Sequence, residues 1–301
     1  MQPILYALTK SLLIVSLFSL TILPVHADAE DTDSDTSTSQ VSTTNLTETA
    51  LGNNVYWLAG LGGNTLFIVG PESILISDNK MATAAESLLA AIRKRSDKPI
   101  QYIINTHHHS DHTGNNQALA NQGGLVIAHD HVHKHLLQAQ QKTPDISFND
   151  QSTLYFGDLE IELHHLPNAH TDGDILVYLP ELNILHTGDI LFNGLYPFID
   201  LENGGTVDGY IAAMEKVVSL SNEQTIIIPG HGPQATLEDL QTNLRMLKDA
   251  RSAVAILVDE GHSEKKVLQL DPLLPWHENY AWEFIDGEQM TRTLYQGLKA
   301  K

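Results

Sequence analysis

The stretch Asn105-Thr106-His107-His108-His109-Ser110-Asp111-His112-Thr113-Gly114 constrains this chain more than any other. It continues directly from the strand-like run 101–105 and packs His107, His109, Asp111 and His112 into six residues. In extended backbone, side chains at i and i+2 share a side. His107 and His109 can therefore grip one cation together, while the turn that follows aims Asp111 and His112 at a second. His108 points the other way and reads as a packing or solvent-facing residue. A fold that uses these side chains must leave the end of this strand open.

Three isolated segments supply the missing donors. His170 lies in Asn168-Ala169-His170-Thr171-Asp172-Gly173-Asp174, Asp189 in His186-Thr187-Gly188-Asp189, and His231 in Pro229-Gly230-His231-Gly232-Pro233. Each stands at the end of an apolar strand beside glycine, where a rigid scaffold can hold functional loops. Imidazole and carboxylate donors suit Zn²⁺ without sulfur, and iron or manganese accept the same set. The chain has no cysteine, so neither a thiolate ligand nor a disulfide is available. Two ions about 3.5–4 Å apart that share a water would lower its pKa from about 15.7 towards 7. Hydroxide attack on a carbonyl would follow, with the oxyanion stabilised by the same ions. Asp111 is also the catalytic candidate, able to orient the nucleophile or move a proton. Asp172 and Asp174 either fix ligand imidazoles or form Asx turns. Asn193 and Tyr196, in the loop after Asp189, either line the pocket, with Tyr196 donating to a substrate oxygen, or serve ordinary packing, the reading their surroundings favour.

The rest of the chain divides by composition. Lys10 precedes an apolar run from Leu12 to Val25, and Val25 and Ala27 fit a small-residue cleavage site. Residues 1–27 read as a signal peptide, too short and too closely followed by acids for a membrane span. Residues 28–49, acidic and rich in Ser and Thr, read as a flexible tether. Residues 50–301 form the globular domain. Strands are expected over 55–58, 65–69, 73–76, 101–105, 125–128, 159–163, 175–179, 183–186 and 225–228, and a helix over 81–95. Thr236 with Asp239 resembles a capping box opening a long helix that ends at Gly261. The mixture is α+β. A net charge of -20 disfavours nucleic acid and anionic membrane surfaces as partners.

The order His-x-His-x-Asp-His, lone His, Asp, Gly-His-Gly resembles the metallo-β-lactamase superfamily. The resemblance implies a four-layer αββα sandwich with two metals, most often zinc, at one edge. It assigns His107, His109 and His170 to the first ion, Asp111, His112 and His231 to the second, and Asp189 to both. The implied activity is hydrolysis of an ester, lactone, thioester or amide carbonyl of a small molecule after export to the periplasm, with no lasting membrane anchor. Asp stands at 189, as in the family's thioesterases and lactonases, where better-known zinc β-lactamases carry Cys or Ser. A periplasmic class B-like β-lactamase is one alternative. Others are a mononuclear iron sulfur dioxygenase and a non-catalytic metal-binding protein. The glutathione thioesterase branch uses a basic clamp, for which Lys265-Lys266 is the only hint here.

Overall fold

A computed structural model describes residues 46–300. The expected signal peptide and nearly all of the expected tether lie outside that range. β1 (Thr47–Gly52), β2 (Val55–Ala59), β3 (Thr65–Val69) and β4 (Ile74–Ser77) form an antiparallel meander. α1 (Ala85–Arg93) carries the chain over so that β5 (Ile100–Ile104) runs parallel to β4. α2 (Ser110–Thr113) and α3 (Asn116–Ala120) lead to β6 (Leu125–His129), and α4 (Asp130–Gln138) leads to β7 (Ile146–Phe148), each strand parallel to the last. These seven strands make one sheet in chain order. β8 (Gln151–Phe156), β9 (Leu159–His165), β10 (Ile175–Leu179) and β11 (Ile184–His186) form a second meander. α5 (Val207–Leu220) then crosses over to β12 (Ile226–Ile228), parallel to β11. The helices α6 (Leu237–Asp259), α7 (Glu264–Leu270), α8 (His277–Tyr280) and α9 (Gly287–Lys299) complete the described residues.

The period-two alternation of the strands builds four layers. On β3 and β4, Leu66, Ile68 and Leu75 face inward to meet Ile161, Leu163, Ile175 and Val177 of the second sheet. Their neighbours Phe67, Ile74 and Ile76 face outward onto Leu88 and Ile92 of α1 and Leu119 of α3. On the far side, Leu176, Leu185 and Ile227 pack against Tyr210 and Met214 of α5, Leu240 and Leu247 of α6 and Leu294 of α9. Helices therefore cover two sheets that share a dry interior, which is the αββα sandwich implied above.

Two boundaries differ from expectation. β1 begins at Thr47, three residues ahead of the expected domain start at 50, because residues 47–50 pair with residues 56–59 of β2. The expected helix over 81–95 opens as a 3₁₀ turn at Ala82–Ala84 before α1. α6 does open with a reciprocal capping box between Thr236 and Asp239.

The sheets are pinned to each other at one end. Ser77 Oγ lies 2.9 Å from His186 Nδ1, Ile175 N donates to Thr106 O at 2.8 Å, and Asn64 N donates to Gly230 O at 2.7 Å. Residues 78, 105, 187 and 229 follow directly after β4, β5, β11 and β12, so their loops emerge side by side at this end.

Candidate metal centre

The strand-end loops bring all seven expected ligands together in two overlapping groups. His107, His109, His170 and Asp189 make the first: His170 Nε2 stands 2.9 Å from His109 Nδ1 and 3.5 Å from Asp189 Oδ2, and His107 Nε2 is 3.8 Å from that oxygen. Asp111, His112 and His231 make the second, beside the other oxygen of Asp189. His112 Nε2 is 3.1 Å and His231 Nε2 3.5 Å from Asp189 Oδ1, and His231 Nε2 is 3.2 Å from Asp111 Oδ2. Four donors about 2.0–2.2 Å from a tetrahedral ion sit about 3.3–3.6 Å apart, and the observed separations of 2.9 to 3.8 Å bracket that spacing.

The backs of the imidazoles fix which nitrogens face inward. His170 Nδ1 donates to Phe198 O at 2.8 Å, His112 Nδ1 to Asp78 Oδ2 at 2.7 Å, and His109 Nε2 to Asp200 Oδ2 at 2.9 Å. Thr106 Oγ1 spends its proton on Asp78 Oδ2 and so accepts from His107 Nδ1 at 3.1 Å. These tautomers follow from the partners, and each leaves a lone pair pointing at the centre. His170 Nε2 and His109 Nδ1 therefore present lone pairs to each other at 2.9 Å, an arrangement that repels unless a cation joins them. The buried Nε2 atoms of His107 and His112 and Oδ1 of Asp189 also lack hydrogen-bond partners, which is costly for buried polar atoms. The donors thus fit two cations.

Electrostatics agree. Burial alone would raise Asp189 and Asp111, but the neighbouring histidines, His112 foremost, outweigh it and hold both carboxyls below the ordinary range. Burial would lower His231 and His112, yet Asp189 and its neighbours push His231 up to about 9 and His112 well above its usual value. His170, pushed down to about 4 mainly by burial, stays a neutral donor. The second group favours positive charge.

The backbone approaches closely where glycine permits. A Cβ on Gly230 would lie 1.9 Å from Asp189 Oδ1, and one on Gly63 would lie 2.1 Å from the His112 ring. Both glycines let the walls close around the ligands.

The remaining candidates divide. Asp172 accepts from His135 Nε2 at 2.8 Å, and its carbonyl faces His131 Nδ1 and His165 Nε2; it anchors imidazoles outside the centre. Asp174 accepts from the backbone and hydroxyl of Thr171, shaping the turn after His170. Asn193 ties the His231 loop, donating through Nδ2 to Pro233 O and through its backbone to His231 O. Tyr196 is fully buried, and its hydroxyl donates to Leu273 O at 3.4 Å, so of its two readings the packing one holds and the bond to a substrate oxygen has no counterpart here. His108 stacks on His135, ring centroids 4.1 Å apart.

Asp78 and Asp200 were not anticipated. Asp78 follows the apolar run 74–77 as Asp189 follows 184–186, so a strand-end rule would have found it. Asp200 sits in Phe198-Ile199-Asp200, which carries no such mark. Lys80 is buried, with Nζ donating to Leu58 O and Gly63 O; burial lowers it to about 7 while Asp78 and Asp111 oppose that.

Comparison with known proteins follows the same lines. The model of the metallo-beta-lactamase superfamily matches residues 51–231, more than half of the chain. A probable hydroxyacylglutathione hydrolase of Schizosaccharomyces pombe is 32% identical over 141 residues, covering 46% of this chain and 50% of that protein. The chain thus spans half the length of that relative. A hydroxyacylglutathione hydrolase of Brucella ovis is 28% identical over 232 residues, covering 71% of this chain and 82% of its own. The solved metallo-beta-lactamase of Pontibacter korlensis superposes with a TM-score of 0.62 at 21% identity, over 68% of this chain and 100% of that one. By sequence model and by fold, the chain belongs to the metallo-β-lactamase superfamily.

Proposed function

We propose that the protein is an exported, dinuclear, zinc-dependent hydrolase that cleaves an ester, lactone, thioester or amide carbonyl of a small molecule. The observation that carries this is the convergence of inward nitrogens of His107, His109, His112 and His170 on an unpartnered oxygen of Asp189, with Asp111 and His231 alongside. His107, His109 and His170 would hold one ion, Asp111, His112 and His231 the other, and Asp189 one oxygen towards each. Bound there, the ions supply Lewis acidity at the carbonyl and acidify a water.

The chain's own groups do the remaining work. Asp78, Thr106, Asp200 and the Phe198 carbonyl hold the imidazoles in their tautomers and orientations. Asp111 is 22% exposed and lines the cleft, so of the seven it is the carboxylate best placed to orient a water and accept its proton. Asp189, buried at 4% exposure, stays ionised against the histidines around it.

Elemental analysis of the purified protein, alongside turnover of lactones, thioesters and β-lactams, tests the proposal. Two equivalents of zinc and turnover that falls about 10²–10⁴-fold in Asp111→Asn, at matched metal content, are expected. Both sites filled with no turnover of any carbonyl substrate would favour a non-catalytic metal-binding protein. One iron with oxygen consumption would favour a dioxygenase.

A further inference from the structure

Four aromatic side chains outside the ligand set close over the cleft. The Phe192 ring lies parallel to His231, centroids 5.0 Å apart, and Trp282 stands 6.1 Å from the same imidazole. Trp282 continues to Phe284 at 5.6 Å, Phe284 to Phe198 at 5.4 Å, and Phe198 to His109 at 5.7 Å. The rings form a bracket from one candidate ligand, His231, to another, His109. It spans a cleft of about 520 Å³ whose floor includes Asp111 and Asp189.

The bracket is held in place. Trp282 Nε1 donates to Tyr196 O at 3.0 Å, and Tyr196 N donates to Tyr280 O at 2.7 Å, which ties the segment after α8 to the loop after Asp189. Yet its outer members stay in water: Phe284 is 54% exposed, and Met81 across the mouth is 45% exposed. Large apolar side chains gathered at the rim of a cleft mark a binding surface rather than a core.

Charge narrows what fits. Asp111 and Asp189 are the cleft's charged carboxylates, and among the described residues no lysine or arginine lines it. The Lys80 amine is committed to the Leu58 and Gly63 carbonyls. Positive charge in the cleft is therefore confined to the ligand end, at His231 and the cations the candidate ligands would hold, and the bracket itself offers a carboxylate no lysine or arginine.

We infer that the bracket of Phe192, Phe198, Trp282 and Phe284 is a subsite for an uncharged apolar group, an alkyl chain or aryl ring, joined to the scissile carbonyl. This rests on the carbonyl-hydrolase reading and sharpens it. The preferred substrates are neutral esters or lactones with an apolar acyl part. Acyl groups that would carry a carboxylate into the bracket are disfavoured.

The test uses the zinc-loaded full domain and a series of p-nitrophenyl esters from acetyl to decanoyl. kcat/KM rises about three- to fourfold per methylene until the bracket is filled. Phe284→Ala and Trp282→Ala reduce that increment. Replacing the end of the decanoyl chain with a carboxylate costs about tenfold or more. An independent equilibrium readout is quenching of tryptophan fluorescence by decanamide, which needs no turnover and weakens in Trp282→Phe. A flat chain-length series with the acetyl ester still cleaved would overturn the subsite alone. So would an ester whose acyl chain ends in a carboxylate preferred over the neutral ester of the same chain length. Absence of turnover across the series would count against the hydrolase reading instead, and the decanamide titration would then decide the subsite by itself.

Discussion

Asp78 lies behind the ligands rather than among them. Its carboxylate accepts from His112 Nδ1, from Thr106 N and from Thr106 Oγ1, and Thr106 in turn orients His107. One buried acid thereby sets an imidazole in each of the two groups. Asp78→Asn keeps a residue that tolerates the left-handed backbone at φ 58 but loses the charge. Metal affinity is expected to fall about 10–100-fold, with a retained fold, as read by competitive zinc titration and circular dichroism. The seven candidate ligands were legible in the sequence because each is a metal-binding type at a strand end beside a turn. Asp200 was not, since its role depends on a loop folding back over 91 residues to His109. Tyr196 left two readings open because it neighbours the site in sequence; the loop turns its ring into the core against Tyr280, which is the packing role.

A second residue-level consequence concerns acid. His129 is buried, stacks on His165 at 3.7 Å and donates through Nε2 to Asn149 O. Burial lowers it to about 4, opposed by the Asn149 bond, with His165 and His131 adding to the lowering and Asp130 opposing. The unfolded chain protonates this group near pH 6.5, the folded chain only near 4. Its contribution to stability is therefore whole above 6.5 and lost progressively as pH falls from 6.5 to about 4. The slope from this one group is at most about 1.4 kcal/mol per pH unit. Urea midpoints of wild type and His129→Gln across that window should converge as pH falls; parallel lines would contradict this account.

At the scale of elements, strands with alternating or continuous apolar residues were readable, and their order fixes which loops meet. Helix α5 was not, although Thr206 caps it by accepting from Gly209 N, because glycine and β-branched residues interrupt its pattern. β7 and β8 are harder to read because β7 is only three residues long and β8 opens on the polar run Gln151-Ser152-Thr153. α6 is the opposite case, announced by its capping box and its long apolar face. Thr236→Ala removes the hydroxyl, which accepts from Asp239 N and donates to Asp239 Oδ2, and leaves only the backbone N–H of 236 donating to that carboxylate. A loss of about 1 kcal/mol in unfolding free energy is expected, measured by denaturant titration, with ester turnover unchanged.

At the scale of the molecule, the candidate ligands leave from both sheets: His107 to His112 follow β5, while Asp189 and His231 follow β11 and β12. Ions held there would tie the two halves of the sandwich together. Chelation should therefore lower Tm as well as activity. At a hundredfold excess of free zinc over Kd the linkage is about 2.7 kcal/mol, or about 5–10 °C for a chain of this size. Differential scanning calorimetry with and without chelator, followed by zinc add-back, measures it; an unchanged Tm would argue against a metal shared by both sheets.

All of this chemistry gathers at one end of the strands. The Asn53-Asn54 reversal between β1 and β2 and the Gly157-Asp158 reversal between β8 and β9 border a shared surface hollow at the other end. Neither reversal supplies a donor or touches the aromatic bracket. That pole is where the sandwich can accept an inserted loop, a fluorophore or a fused module while the working pole keeps its shape.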